Sequence, residues 1–129
     1  MKFNYALLSR SLIALLFVIA GVNKLMDFSG TQGTVAYFDS LGLPAPVVAA
    51  ILVILIEVPI ALMFAYGYKV KQTGYVLIGF TILATLIGHR DIFGADMVTA
   101  LKNLAIVGGI MAAISCACGD CVVHNKKVS

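Results

Sequence analysis

Long apolar stretches, broken by short polar ones, dominate this chain from end to end. Four of them reach the roughly 20 residues that a helix needs to cross a hydrocarbon core of about 30 Å. They run over about 5–26, 47–66, 70–88 and 97–118. The first is interrupted by Arg10, Asn23 and Lys24. The second contains Glu57, and the fourth carries Lys102 and Asn103 near its start. No segment alternates apolar and polar residues with a period of two, which argues against a barrel. One buried soluble helix can resemble any of these runs, but four of them joined by short connections cannot be hidden in a chain of 129 residues. The expectation is an all-α membrane protein, a four-helix transmembrane bundle formed by residues 1–118 with a short tail at 119–129.

Shorter signals refine this picture. Thr34–Leu41 combines helix formers with the adjacent aromatics Tyr37 and Phe38, and Gly42 and Pro44 close it. It reads either as a short interfacial helix between the first two spans or as an irregular loop. Met1–Ala20 has the basic start and apolar core of a signal peptide, but the apolar run continues past Gly21 to Lys24, where a full span would end. We therefore expect the first span to be retained. In the fourth span, Ala105, Gly108, Gly109, Ala112 and Ala113 form overlapping small-x-x-x-small pairs, a surface expected to pack against another helix.

Composition agrees with the pattern. The chain is 61% hydrophobic and 12% charged, and its mean hydropathy is +1.04. Those figures leave too few polar side chains to cover a water-facing surface and exclude intrinsic disorder. A net charge of +3, without a basic stripe, gives no footprint for nucleic acid. Lys2, Arg10, Lys69, Lys71, Lys126 and Lys127 fall on one side of the four spans; Lys24, Arg90 and Lys102 fall on the other, together with Asp27, Asp39, Asp91 and Asp96. This asymmetry predicts that both termini are cytoplasmic in a plasma or inner membrane.

The polar residues inside the apolar runs are the candidate chemistry. A charge at the centre of a span costs about 2.5–3.5 kcal/mol on insertion scales, so Glu57 is a candidate functional residue. It is tolerable as the neutral acid, or ionised and paired with Arg10. Pro59, two residues on, removes a backbone donor and frees the carbonyl of Leu55, so a polar pocket can form beside it. Arg10, Ala14, Phe17, Gly21 and Lys24 are spaced by four, three, four and three, which puts both bases on one helical stripe. They then either point into the bundle or snorkel to the headgroups. His89 ends the third span and titrates near neutral pH. Glu57 and His89 would form a short proton path suited to quinone chemistry, with Asn103 bonding the same ligand; alternatively, the acid fixes helix register and the histidine is solvated.

The tail has its own pattern. Cys116, Cys118, Cys121 and His124 read C-x-C-x-x-C-x-x-H. Three thiolates and an imidazole can complete a tetrahedral zinc site, or hold copper(I) or an iron–sulfur cluster. Cys118 and Cys121 also form a C-x-x-C redox pair. Incidental thiols at a helix end are the third reading.

Taken in order, Arg10, Phe17, Gly21 and Lys24, the Gly42–Pro44 turn, Glu57, His89 and the run Lys102–Ala105 resemble the DoxX family over about Leu8–Gly109. The resemblance implies a small four-helix protein of the bacterial inner membrane. It also implies a link to quinone-coupled oxidation of sulfur compounds, or to a membrane oxidoreductase complex. Glu57 and His89 would then be the catalytic residues, and Arg10, Lys24 and Asn103 would line the substrate or quinone pocket. A redox partner protein would carry the cofactor, since no flavin, haem or nucleotide motif is present, and a homo-oligomer is compatible with so small a bundle. Two other functions remain open from the residues alone: a small-solute or proton transporter using Glu57, and a non-enzymatic membrane scaffold.

Overall fold

A computed structural model describes residues 4–89, 91 and 93–117. These form five helices and no strand. We number them α1 (Tyr5–Met26), α2 (Thr34–Ser40), α3 (Pro46–Tyr66), α4 (Val70–Gly88) and α5 (Met97–Ala117). All except α2 are long and apolar enough to cross a membrane. The four spans pack as an up-and-down bundle in which α1 lies against α3 and α5, and α4 lies against α3 and α5. Its interior is filled by Ala14 and Phe17 of α1, Phe64 of α3, Leu77 of α4 and Ile110 of α5. Phe17 and Phe80 meet across the centre, with ring centroids 6.3 Å apart. Large apolar side chains such as Leu12, Leu15, Leu52, Leu83 and Leu104 point outward, as expected when lipid is the solvent.

Local chemistry sets the helix ends. The Asn4 side chain accepts a hydrogen bond from Leu7 N at 3.0 Å and caps α1. At the end of α3, Gly67 has φ +98°. Its N–H reaches the Phe64 carbonyl and the Tyr68 N–H reaches that of Met63, a Schellman turn. Within α4, the Thr73, Thr81 and Thr85 hydroxyls donate to carbonyls one turn back, at 2.9, 2.7 and 2.7 Å. These bonds keep the hydroxyls satisfied where water is absent.

Helix α3 is not regular throughout. Ile56–Ile60 forms a π turn that contains Pro59 and begins beside Glu57. Proline lacks the N–H that an α-helix would direct to Leu55, and the chain accommodates this by widening one turn rather than by breaking. Gly21 of α1 packs against this turn. A methyl group there would meet Val58 Cγ2 at 2.6 Å and Glu57 Cβ at 2.9 Å, so only glycine lets the two helices approach. Gly74 plays the same part between α4 and α5, facing Ile114.

The small residues of α5 do not form one packing surface. Ala113 is buried, and a Cβ on Gly109 would meet only Ile13, at 3.5 Å. Ala105, Gly108 and Ala112 are exposed, and nothing lies within 4 Å of a Cβ at Gly108. The stripe therefore divides between two sides of the helix, because residues 109 and 113 stand about 100° from 108 and 112 around the axis.

The segment between α1 and α3 settles into the bundle. Eleven residues separate Pro46 from Glu57, whereas five separate Gly21 from Met26. With Gly21 and Glu57 in register, α3 rises about 16 Å above the contact and α1 only about 8 Å. The turn after α1 and the short helix α2 occupy the space over the end of α1. Thr34 N bonds Asp27 O at 3.0 Å, Gly33 N bonds Gly30 O at 2.9 Å, and Phe38 is buried beneath α2. The expected interfacial helix is thus present. We call this side of the bundle the α2 face, and the side with the N-terminus and the 67–69 turn the terminal face.

Candidate functional site: a buried ion pair beside a π turn

The acid of the second span is buried as its position demands; Glu57 is 4% exposed. Its partner is Lys24. The ammonium donates to Oε1 at 3.0 Å and stands 2.9 Å from Oε2. The ammonium thus faces both carboxylate oxygens, and the buried Oε2 takes no other donor. An ionised pair in hydrocarbon is tolerable when each charge neutralises the other. Three features bring the two groups together: Gly21 admits α3, the π turn carries Glu57, and Lys24 follows Gly21 by one turn on the same stripe. From above, Thr34 Oγ1 donates to the Lys24 carbonyl at 2.8 Å and ties α2 to the end of α1.

The pairing with Arg10 expected as one option is corrected. Fourteen residues separate Arg10 from Lys24, about 21 Å along an α-helix. Arg10 lies at the other end of α1, with its Nη2 3.2 Å from where a Cβ on Gly67 would stand. The two bases share a helical face but not a depth.

Of the remaining expected residues, His89 and Asn103 have partners of their own. His89 Nδ1 contacts Asp96 Oδ1 at 3.3 Å. Asp96 in turn closes the 91–96 turn, accepting from Asp91 N at 3.4 Å and leading into α5 through Ala100 N to Asp96 O at 2.9 Å. Both side chains are about one-third exposed, at 37% and 32%. Asn103 Nδ2 donates to Thr85 Oγ1 at 2.8 Å, in a cleft of about 140 Å³ between α4 and α5 that includes Thr81, Leu86 and Leu104. Cys116 is exposed near the end of α5. Arg90, Cys118, Cys121 and His124 lie outside the described residues, and with them most of the expected metal or redox tail. Among the described residues, no group of three His, Cys, Asp or Glu side chains is placed to hold a metal ion.

Sequence reasoning missed Thr34, Thr85 and Asp96 as partners. Their signals were weak, since a threonine at a helix start and an aspartate before a helix are ordinary caps.

Fold and site together define a membrane protein of four spanning helices with a part-buried lysine–glutamate pair between α1 and α3. The DoxX family model matches residues 5–90, which include α1 to α4, both members of the pair and the π turn. The chain belongs to the DoxX family. It is 34% identical over 111 residues to inner membrane protein YphA of Escherichia coli (strain K12), covering 81% of this chain and 77% of that protein. It is 32% identical over 106 residues to inner membrane protein YqjF of the same organism, covering 81% and 78%. No solved structure matches it.

Proposed function

We propose that this protein is a small membrane subunit of an oxidoreductase, that it carries no redox cofactor of its own, and that the Lys24–Glu57 pair handles protons for a quinone or sulfur-compound substrate. The observation that carries this reading is the Glu57 carboxylate. It is buried in the bundle, and one lysine ammonium stands against both of its oxygens, Oε2 taking no other donor. A carboxylate with a single cationic partner keeps lone pairs for a hydrogen bond from a hydroxyl-bearing ligand, and once protonated it can pass that proton on. Reducing a quinone to a quinol consumes two electrons and two protons. In this reading the electrons come from the cofactor of a partner protein, and Glu57 relays the protons. A π turn at the same place supports it, because such turns gather at functional sites. His89 and Asp96, in contact at 3.3 Å and each about one-third exposed, form a second polar pair on the α2 face. The distribution of basic residues supports a reading in which this face is outward and the termini are cytoplasmic. The relatives' names place those proteins in the inner membrane.

Purified full-length protein in detergent is titrated with a short-chain quinone, and binding is followed by intrinsic tyrosine fluorescence. Saturable binding that is lost in Glu57→Gln supports the proposal. No saturable binding, or equal binding by the variant, overturns it. Proton flux into proteoliposomes without quinone would instead identify a transporter. An unchanged growth phenotype in a Glu57→Gln, His89→Ala double variant would identify a scaffold.

A further inference from the structure

We infer that Arg10 and the α3–α4 turn form a phosphate-binding site on the terminal face, occupied by the headgroup of a phospholipid. One donor of the Arg10 guanidinium is buried without an acceptor. Arg10 Nε is buried without a hydrogen-bond partner, and neither ion pair among the described residues includes Arg10. A guanidinium carries five N–H donors and no acceptor, and it does not lose its proton in proteins. A buried donor left unsatisfied is costly, so an acceptor from outside the chain is to be expected.

The surroundings say what kind of acceptor. Every acid among the described residues is either Glu57 or lies on the α2 face, at Asp27, Asp39, Asp91 and Asp96. Among the described residues the terminal face offers Arg10 no carboxylate, while Lys69 and Lys71 add two exposed cations in the turn and the first turn of α4. The nearest helix end cannot substitute fully. The Met63 and Phe64 carbonyls of α3 are already taken by the N–H groups of Gly67 and Tyr68. Gly67 supplies the space, since a side chain there would press on Nη2 from 3.2 Å.

Depth favours a lipid as the source. Arg10 is the sixth residue of α1, about 7.5 Å from its start. Side chains on a helix lean toward its N-terminus, so the guanidinium is carried back toward the membrane boundary. Headgroup phosphates lie at that level, and a guanidinium fork fits phosphate oxygens in pairs. Basic pockets between spans bind lipid headgroups for the same reasons.

Native mass spectrometry of the full chain in detergent tests this with three ligands: phosphatidylglycerol, a diacylglycerol with the same acyl chains, and inorganic phosphate. Wild type is expected to retain phosphatidylglycerol and not the diacylglycerol. Arg10→Gln is expected to bind phosphatidylglycerol about tenfold more weakly, the effect of losing one charge-assisted hydrogen bond. Lys102→Gln, at the opposite end of the bundle, is expected to match wild type. Binding of inorganic phosphate alone, lost in Arg10→Gln, would keep the phosphate site and replace the lipid as its source. Equal retention of phosphatidylglycerol by wild type and Arg10→Gln overturns the site, as does equal retention of the diacylglycerol by wild type. If Arg10→Gln does not fold, Arg10→Lys decides: it keeps the charge and loses the fork, so severalfold weakening supports the site and wild-type retention overturns it.

Discussion

Replacing Lys24 by methionine removes the only ionic partner of Glu57 among the described residues and leaves a carboxylate in the middle of a span. Breaking a buried pair from one side costs about 3–5 kcal/mol in soluble proteins. Lys24 is 30% exposed at its side chain against 6% for Glu57, so part of the pair's field is screened, and the lower end of that range applies. A loss of about 3 kcal/mol is more than a hundredfold in the folding equilibrium. The reverse change is not equivalent. In Glu57→Leu, the stranded lysine lies two residues from the end of α1 and can turn its long side chain toward water, while leucine occupies roughly the volume of the acid. That variant is expected to lose about 1 kcal/mol or less, and the double variant Lys24→Met, Glu57→Leu to resemble it. The assay is reversible unfolding of the full chain in mixed micelles at increasing dodecyl sulfate, read by far-ultraviolet circular dichroism. If Glu57→Leu proves as damaging as Lys24→Met, the asymmetry of burial does not govern the pair and the reasoning fails.

Other perturbations follow from the same geometry. Gly21→Ala forces α1 and the π turn apart, because the new methyl meets Val58 and Glu57; a loss of about 1–3 kcal/mol is expected in the same unfolding assay. Gly108→Ala meets nothing and gains helix propensity, so stability should hold or rise by up to about 1 kcal/mol. Asn103→Leu removes the bond to Thr85, whose hydroxyl still donates to Thr81 O; the expected cost is about 0.6 kcal/mol, the average for interhelical hydrogen bonds in a membrane. Thr34→Val unties α2 from the Lys24 carbonyl, and amide exchange at residues 34–40 should speed up while the four spans stay protected.

The spans could be read from the chain because each is set by an uninterrupted apolar run, a property local in sequence. Gly42 and Pro44 likewise marked the end of α2. The partner of Glu57 could not be read in this way. The expectation paired it with Arg10, and placing Lys24 there instead requires the register of α1 against α3. A tight turn would have fixed that register; here the connection holds α2 and folds down over the end of α1, so sequence distance says little about depth. For His89 the side-chain partner is Asp96, seven residues on, in the connection that leads into α5. Asp96 and Thr34 were not read as partners because nothing in either residue type announces which neighbours its side chain bonds.

The widened turn in α3 stores a choice of length. Pro59, with no N–H to complete an α-helical turn, keeps the surplus residue at 56–60. Glu57 sits on that segment, so removing the surplus would turn its side chain by about 100° relative to the residues on the other side of the turn. Deleting a single residue between Ile56 and Ile60 is therefore a change that this helix, unlike its three companions, is built to absorb.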